Sequence, residues 1–275
     1  WLLLRASLPW LDGQFELIGL TQPVKIERDL IGYTTVSAKN RLDLARATGY
    51  IHAQDRFFQM DLLRRSSAGE LSELFGSRAL SFDKQRRVHR MRARAAKVLE
   101  LASSDELSLL QAYADGVNAG LNALRAPPFE YLLLRQRPKA WNTQDSVLTA
   151  LSMYFTLQLD TVRQESQLAM LRDCMPPEMV DFLLPQGTQW DASLAGDYFA
   201  EVQLPNAEIF DSQQLESPQA YVQHPISELL TTSNEAQEIP VGSNNWAVGG
   251  ALTQHGAALV ADDMHLGLRL PHIWY

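Results

Sequence analysis

From Ala192 to Pro240 the chain runs on without a hydrophobic period of either kind. Gln, Glu, Ser, Asn and Asp dominate, proline is scattered, and no apolar face recurs at helical or strand spacing. Such a stretch cannot bury enough apolar surface to offset its own ordering entropy. A structureless loop of this length is also foreign to the inside of a compact domain. The sequence is therefore divided into three parts: residues 1–191, a linker or removable spacer over 192–242, and a second structured piece over 243–275. Any fold has to be built from the two flanks.

The upstream flank is mostly helical in pattern. Pro23-Val-Lys-Ile-Glu-Arg28 alternates apolar and polar residues, and Tyr33-Thr-Thr-Val-Ser37 is rich in β-branched and aromatic ones. With Asp29 to Gly32 between them, they predict a β-hairpin. From Asn40 the period becomes helical, with Leu42, Ala45 and Thr48 on one face and a bend expected at Gly49. The next segment, GYIHAQDRFFQMDLLRRSSAGELSELFG, carries two apolar stripes: Ile51, Phe58 and Leu62, and then Tyr50, Ala53, Phe57 and Met60. A helix apolar over so much of its circumference is a buried one. Ser103-Ser-Asp-Glu106 fits a capping box. Leu107, Leu110, Ala114, Val117, Leu121 and Leu124 then continue as an amphipathic helix that ends before Pro127-Pro128. Another helical run covers about 145–172 and stops at Pro176-Pro177. Downstream of the spacer, Asn244-Asn-Trp-Ala-Val248 reads as a strand, Gly249 to Gly256 as a turn, and Ala257-Ala-Leu-Val-Ala261 as an apolar strand of the kind buried in a sheet.

Composition narrows the partners. A chain of 275 residues that is 46% hydrophobic and 20% charged is globular, with room for one large domain or two ordinary ones. The net charge of −8 argues against a nucleic acid or an anionic membrane as partner. Arg86, Arg87, Arg90, Arg92 and Arg94 come closest to a basic patch, and their helical spacing reads as a solvated helix face paired with acids. No apolar run reaches the ~18 residues of a membrane span. The opening WLLLRASLPWLDG is too short for a secretory signal and reads as the tail of a longer N-terminus. Cys174 has no second cysteine to pair with and no base or cation beside it, so it reads as structural.

Ser243 is the residue with chemistry. A serine can act as a nucleophile without a separate histidine when its own α-amino group is free, because an amine of pKa ~7.7–8.0 accepts the hydroxyl proton near neutral pH. That requires scission of the chain immediately before the serine. In Val241-Gly-Ser-Asn-Asn-Trp-Ala-Val-Gly-Gly250 a bendable polar run, a small Gly242 and a rigid strand meet at that bond. Ser243 Oγ would attack the Gly242 carbonyl, and water would open the resulting ester. G-S-N-N is also ordinary turn chemistry, so the residues alone leave both readings open.

Longer blocks carry more. GYIHAQDRFFQM and SNNWAV, with LPWLDG, VKIERDLIGYTTVSA and LVADDMHLG around them, resemble the penicillin amidase family of N-terminal nucleophile hydrolases, which includes penicillin, cephalosporin and acyl-homoserine-lactone acylases. The resemblance implies an α+β class and an αββα sandwich, two stacked antiparallel sheets between helical layers. This chain would supply the small (alpha) chain over 1–191, the spacer over 192–242 and the first strands of the large (beta) chain from 243. It further implies that Gly242-Ser243 is the processing bond. Ser243 would then be the nucleophile and, through its amine, the base, hydrolysing a small-molecule amide by way of an acyl-enzyme; the alternatives are an acyl-homoserine-lactone acylase and a non-catalytic binding protein that retains the fold. Small and large chains of one precursor would form a heterodimer, exported to the periplasm or secreted.

The resemblance extends to neighbouring positions. His265 stands where many cephalosporin and lactone acylases carry a histidine, and could hold the serine hydroxyl or the attacking water within ~2.6–3.2 Å; hydrogen-bonded packing is its plainer role. Its block reads Ala261-Asp-Asp-Met-His265 where much of the family has Asn-Asp-Pro-His or Asn-Pro-His, so a different loop geometry is expected. Leu266 matches a position that lines the acyl pocket, and Gln158 and Leu159 match small-chain pocket residues at a helix bend. Glu165 matches the one small-chain carboxylate that reaches a calcium ion held mostly by the large chain. Calcium takes about six to eight oxygens, so most ligands would come from outside this chain; no organic cofactor is implied. His52, Gln54 and Asp55 point in different directions around a helix and are structural in the family. The oxyanion donors lie far along the family's large chain, so this chain by itself is expected to be inactive.

Overall fold

The computed structural model describes residues 2–188, 190–191, 196, 199, 201–209, 211 and 242–266. Most of the expected spacer therefore lies outside the described residues. The chain divides into two compact units, residues 1–157 and 158–274, with the division inside a long helix.

In the first unit a short helix α1 (Leu2–Ala6) precedes the predicted hairpin, β1 (Lys25–Arg28) against β2 (Thr34–Ser37), paired antiparallel with Lys25 opposite Ser37. Asp29 organises the turn, its Oδ1 accepting from the amides of Ile31 and Tyr33 at 3.0 and 2.8 Å. The chain then enters α2 (Arg41–Ala68) at Asn40, whose side chain takes the Asp43 amide as an N-cap. Asp43, fully buried, accepts in turn from Thr21 N, Thr21 Oγ1, Gln22 N and Asn40 Nδ2. These donors, the Thr21 amide foremost, hold its carboxyl below the usual range. Arg28 ties the hairpin to α2 through Asp55 at 2.7 Å.

Gly49 does not bend α2. The non-helical residue is Arg56, at φ −144° and ψ 22°. Gly49 is instead a contact point: a β-carbon there would stand 2.2 Å from the Tyr113 carbonyl oxygen of α6 (Ser104–Ala123). Gly116 returns the approach, since its β-carbon would meet the Arg46 carbonyl oxygen at 1.9 Å. The two helices pack backbone to backbone because neither presents a side chain at the crossing. The helix α6 begins with the predicted capping box between Ser103 and Glu106.

Around this crossing Ala53, Phe57, Leu74, Ala114, Val117, Tyr131 and Trp141 form one core cluster. Phe58, Met60 and Leu62, predicted on the apolar stripes, pack against it half-buried. A second cluster joins Ala68 to Met91, Ala95, Leu148 and Phe155. These draw in α3 (Ser72–Phe75), α5 (Met91–Leu101), α7 (Phe129–Leu134) and the first half of α8 (Thr143–Cys174), while α4 (Leu80–Arg87) packs against α2.

The buried side of α2 is not purely apolar. Asp61 accepts from Arg64 Nε at 2.7 Å, Arg65 Nε at 2.8 Å and the Tyr131 hydroxyl at 2.5 Å. Arg64 continues to Asp145 at 2.6 Å and to the carbonyls of Lys139 and Ala140. Burial and the neighbouring Asp61 carboxylate push the Tyr131 hydroxyl's pKa up, so it remains a donor. The five arginines read as one solvated face straddle a helix break instead. Arg90 sits in the left-handed region between α4 and α5, Arg86 stacks over Phe155 at 3.9 Å, Arg87 donates to the Gly69 carbonyl, and Arg92 pairs with Glu70.

The second unit holds the rest of α8, with Cys174 exposed at its end, then α9 (Pro177–Leu183) and a second hairpin. There β3 (Gly242–Val248) pairs antiparallel with β4 (Leu259–His265), across a short 3₁₀ turn at Gly250–Leu252. The apolar strand expected to be buried is open here: Trp246 is 53% and Val260 68% exposed. A two-stranded ladder has two faces, and most of its described side chains are exposed.

Candidate active site

The Gly242–Ser243 bond opens β3. Pairing sets Gly242 opposite His265, Ser243 opposite Met264, Asn244 opposite Asp263 and Asn245 opposite Asp262. Side chains alternate faces along a strand, and directly opposed residues share a face. One face therefore carries Gly242, Asn244, Asp263 and His265; the other carries Ser243, Asn245, Asp262 and Met264. In the unbroken ladder the imidazole is not on the side of the Ser243 hydroxyl, where the sequence reading put it to hold that oxygen. It stands across from the glycine that scission would remove.

The imidazole has a defined partner. His265 Nε2 lies 2.8 Å from Asp263 Oδ2, and the Asn244 side-chain amide is 3.4 Å from the same nitrogen. A carboxylate only accepts, so in this contact Nε2 donates to Asp263. The His265 hydrogen bond, with a smaller contribution from Asn244, holds the Asp263 carboxyl below its usual range. On the other face Asn245 Nδ2 donates to Asp262 Oδ1. Side chains from 243 to 245 and from 262 to 265 are exposed.

Of the predicted site residues, the hairpin brings together Gly242, Ser243 and His265, with Leu266 half-buried just past the end of β4. Gln158, Leu159 and Glu165 lie on a different element, α8. Gln158 and Glu165 are exposed, and the Leu159 side chain is outside the described residues. Among the described residues no three His, Cys, Asp or Glu side chains cluster as a metal would need, so Glu165 alone does not make a calcium site. His52, read from the sequence as structural, meets the Tyr113 hydroxyl through its Nδ1 at 2.9 Å, and burial lowers its pKa to about 4. A cavity of about 460 Å³ beside β1 and α2, lined by Trp10, Phe15, Ile26 and Tyr50, contains none of the candidate residues. Sequence reasoning passed over Asp263 and Asn244. Counting alternate positions back from His265 and forward from Gly242 would have placed both on the imidazole's face.

No described helix is long and apolar enough to cross a membrane. The sequence pattern of penicillin amidase matches residues 23–275. The chain is 28% identical to a penicillin acylase 2 proenzyme of a Pseudomonas species (strain SE83), over 98% of this chain and 34% of that protein. It is also 28% identical to the acyl-homoserine lactone acylase QuiP of Pseudomonas aeruginosa, over 98% of this chain and 30% of that one. It thus spans about a third of the length of these relatives. Among solved structures, a thermostable penicillin G acylase from Alcaligenes faecalis superimposes with a TM-score of 0.53 and 26% identity, over 65% of this chain and 99% of the solved chain. With an α+β architecture that matches that acylase and a family pattern running through nearly all of its length, the chain belongs to the penicillin amidase family.

Proposed function

We propose that this chain is the small chain, spacer and opening strands of a self-processing serine amidohydrolase. The observation that carries the reading is a Gly-Ser pair at the first two positions of a strand, directly after a long polar run, in a chain of this family. Maturation starts when Ser243 Oγ attacks the Gly242 carbonyl carbon. The C–N bond breaks, the hydroxyl proton passes to the departing nitrogen, and an ester remains. Water adds to that ester, giving the Gly242 carboxylate and restoring the hydroxyl. Ser243 now bears a free amine, and as a terminal residue it is no longer held to one face of the ladder.

In turnover the amine takes the hydroxyl proton while Oγ attacks a substrate amide; the amine product leaves with a proton, and water releases the acid. The name proenzyme on one relative supports processing of this kind. So does the solved acylase chain, which is covered almost end to end by 65% of this one, as a separate small chain would be. Small and large chains then stay together as a heterodimer acting on a small-molecule amide. Glu165 is offered as one ligand of a calcium ion completed by the large chain, with no step routed through it, and export to the periplasm completes the reading.

A second substrate reading has its own support, since a relative of equal identity is an acyl-homoserine lactone acylase. Assaying the full-length protein with a phenylacetyl amide and with a long-chain acyl-homoserine lactone separates the two, the preferred substrate naming the class. Ser243→Ala is expected to lower either turnover by at least about a thousandfold, as loss of a nucleophile does. Unchanged turnover in Ser243→Ala would overturn the proposal.

A further inference from the structure

We infer that Asp263 is a positioning residue for maturation, holding His265 so that its Nδ1 delivers a proton to the Ser243 nitrogen as the Gly242–Ser243 bond breaks. The inference rests on the proposed self-processing and adds a residue and a division of labour to it. Three observations converge. His265 is directly opposite Gly242, the residue whose carbonyl is attacked, and not on the face of the Ser243 side chain. Its Nε2 is committed to Asp263 at 2.8 Å, which fixes the tautomer and leaves Nδ1 for proton transfer. Asn244, opposite Asp263 on the same face, approaches the carboxylate from across the ladder, and the His265 and Asn244 contacts hold the Asp263 carboxyl below its usual range.

The chemistry explains why the scissile bond needs such a group. An amide nitrogen is a poor leaving group until it is protonated, and hydroxyl attack alone does not supply the proton at the right atom. Imidazolium at His265 gives its Nδ1 proton to the nitrogen, the proton released from Ser243 Oγ passes through water, and the imidazole is reprotonated from solvent. The exchange is neutral overall: one C–N bond is replaced by one C–O bond, and one proton moves from oxygen to nitrogen. Once scission is complete the terminal amine of Ser243 is itself the base for turnover, so Asp263 bears on maturation more than on hydrolysis. The described groups near the imidazole are Asp263 and Asn244 on its own face, with Asp262 on the other.

The test is maturation of the full-length precursor, followed by the appearance of the new Ser243 terminus across pH 5 to 9 for wild type, Asp263→Asn, Asp263→Glu and Asp262→Asn. Asp263→Asn is expected to slow maturation by about tenfold or more and to shift the pH profile of its rate, since an oriented acid contributes ~10²-fold or more. Asp263→Glu should recover most of the rate, and Asp262→Asn, on the other face, should match wild type. An Asp263→Asn precursor that keeps the wild-type far-UV circular dichroism and thermal melt separates this role from general folding damage. A wild-type maturation rate and pH profile in Asp263→Asn would overturn the inference, as would equal slowing by Asp262→Asn. If wild type itself never exposes the Ser243 terminus, the self-processing reading fails instead.

Discussion

His52 shows how burial resets the protonation of an ionisable side chain. It lies one turn from Asp55 and Arg56 on α2, and burial lowers its pKa from 6.5 to about 4, against a smaller opposing pull from Asp55. The folded state therefore keeps the imidazole neutral where the unfolded chain would protonate it. Stability is unaffected above about pH 6.5 and falls as pH drops from there toward 4, because in that window the unfolded state binds more protons. At roughly 1.4 kcal/mol per pKa unit the loss is bounded by about 3 kcal/mol. Chemical denaturation of wild type and His52→Gln at pH 7 and pH 5 reads it out: wild type should lose more stability than the variant between the two, and parallel losses would refute the assignment. Asp61, Arg64 and Arg65 are a related case. Their charges were visible in the sequence, but their burial was not, because an i, i+3, i+4 set of charges reads equally well as a solvated face. Only the partners brought by α7 and α8, Tyr131 and Asp145, turn that set inward.

At the scale of elements, the crossing of α2 and α6 is the feature most open to a single test. Gly116→Ala would place a β-carbon 1.9 Å from the Arg46 carbonyl oxygen, and backbone cannot move aside as a side chain can. The helices must separate, so the expected cost is about 3 kcal/mol or more, at the upper end of overpacking. Thermal denaturation measures it, and a substitution that is neutral or stabilising, as alanine for glycine in an open helix would be, would contradict the close packing. The same glycines mark where sequence reading stopped. Gly49 was read as a bend because a glycine that permits a turn and one that permits close approach look identical until the partner helix is in place. The bend falls at Arg56, which carries no local signal. The first hairpin and the Ser103–Glu106 cap were legible because their chemistry is complete within a few residues. The burial expected of Val260 was not, since it depends on layers that the hairpin does not itself provide.

For the whole molecule, the sequence made its strongest statement at a polar run between a helical unit and a strand that opens at Gly242-Ser243. The family pattern over 23–275 and the match to a solved acylase bear out the fold reading. The sequence named the Gly242–Ser243 bond and His265 as candidates, but the side of the ladder each occupies was not legible in it, because face follows from register and register from pairing. The relatives are about three times as long as this chain. The reading as a whole depends on scission in front of one residue. N-terminal sequencing of the purified full-length protein tests it most directly. We expect two chains, one beginning Ser-Asn-Asn-Trp at Ser243; a single uncut polypeptide with full amidase activity would contradict it.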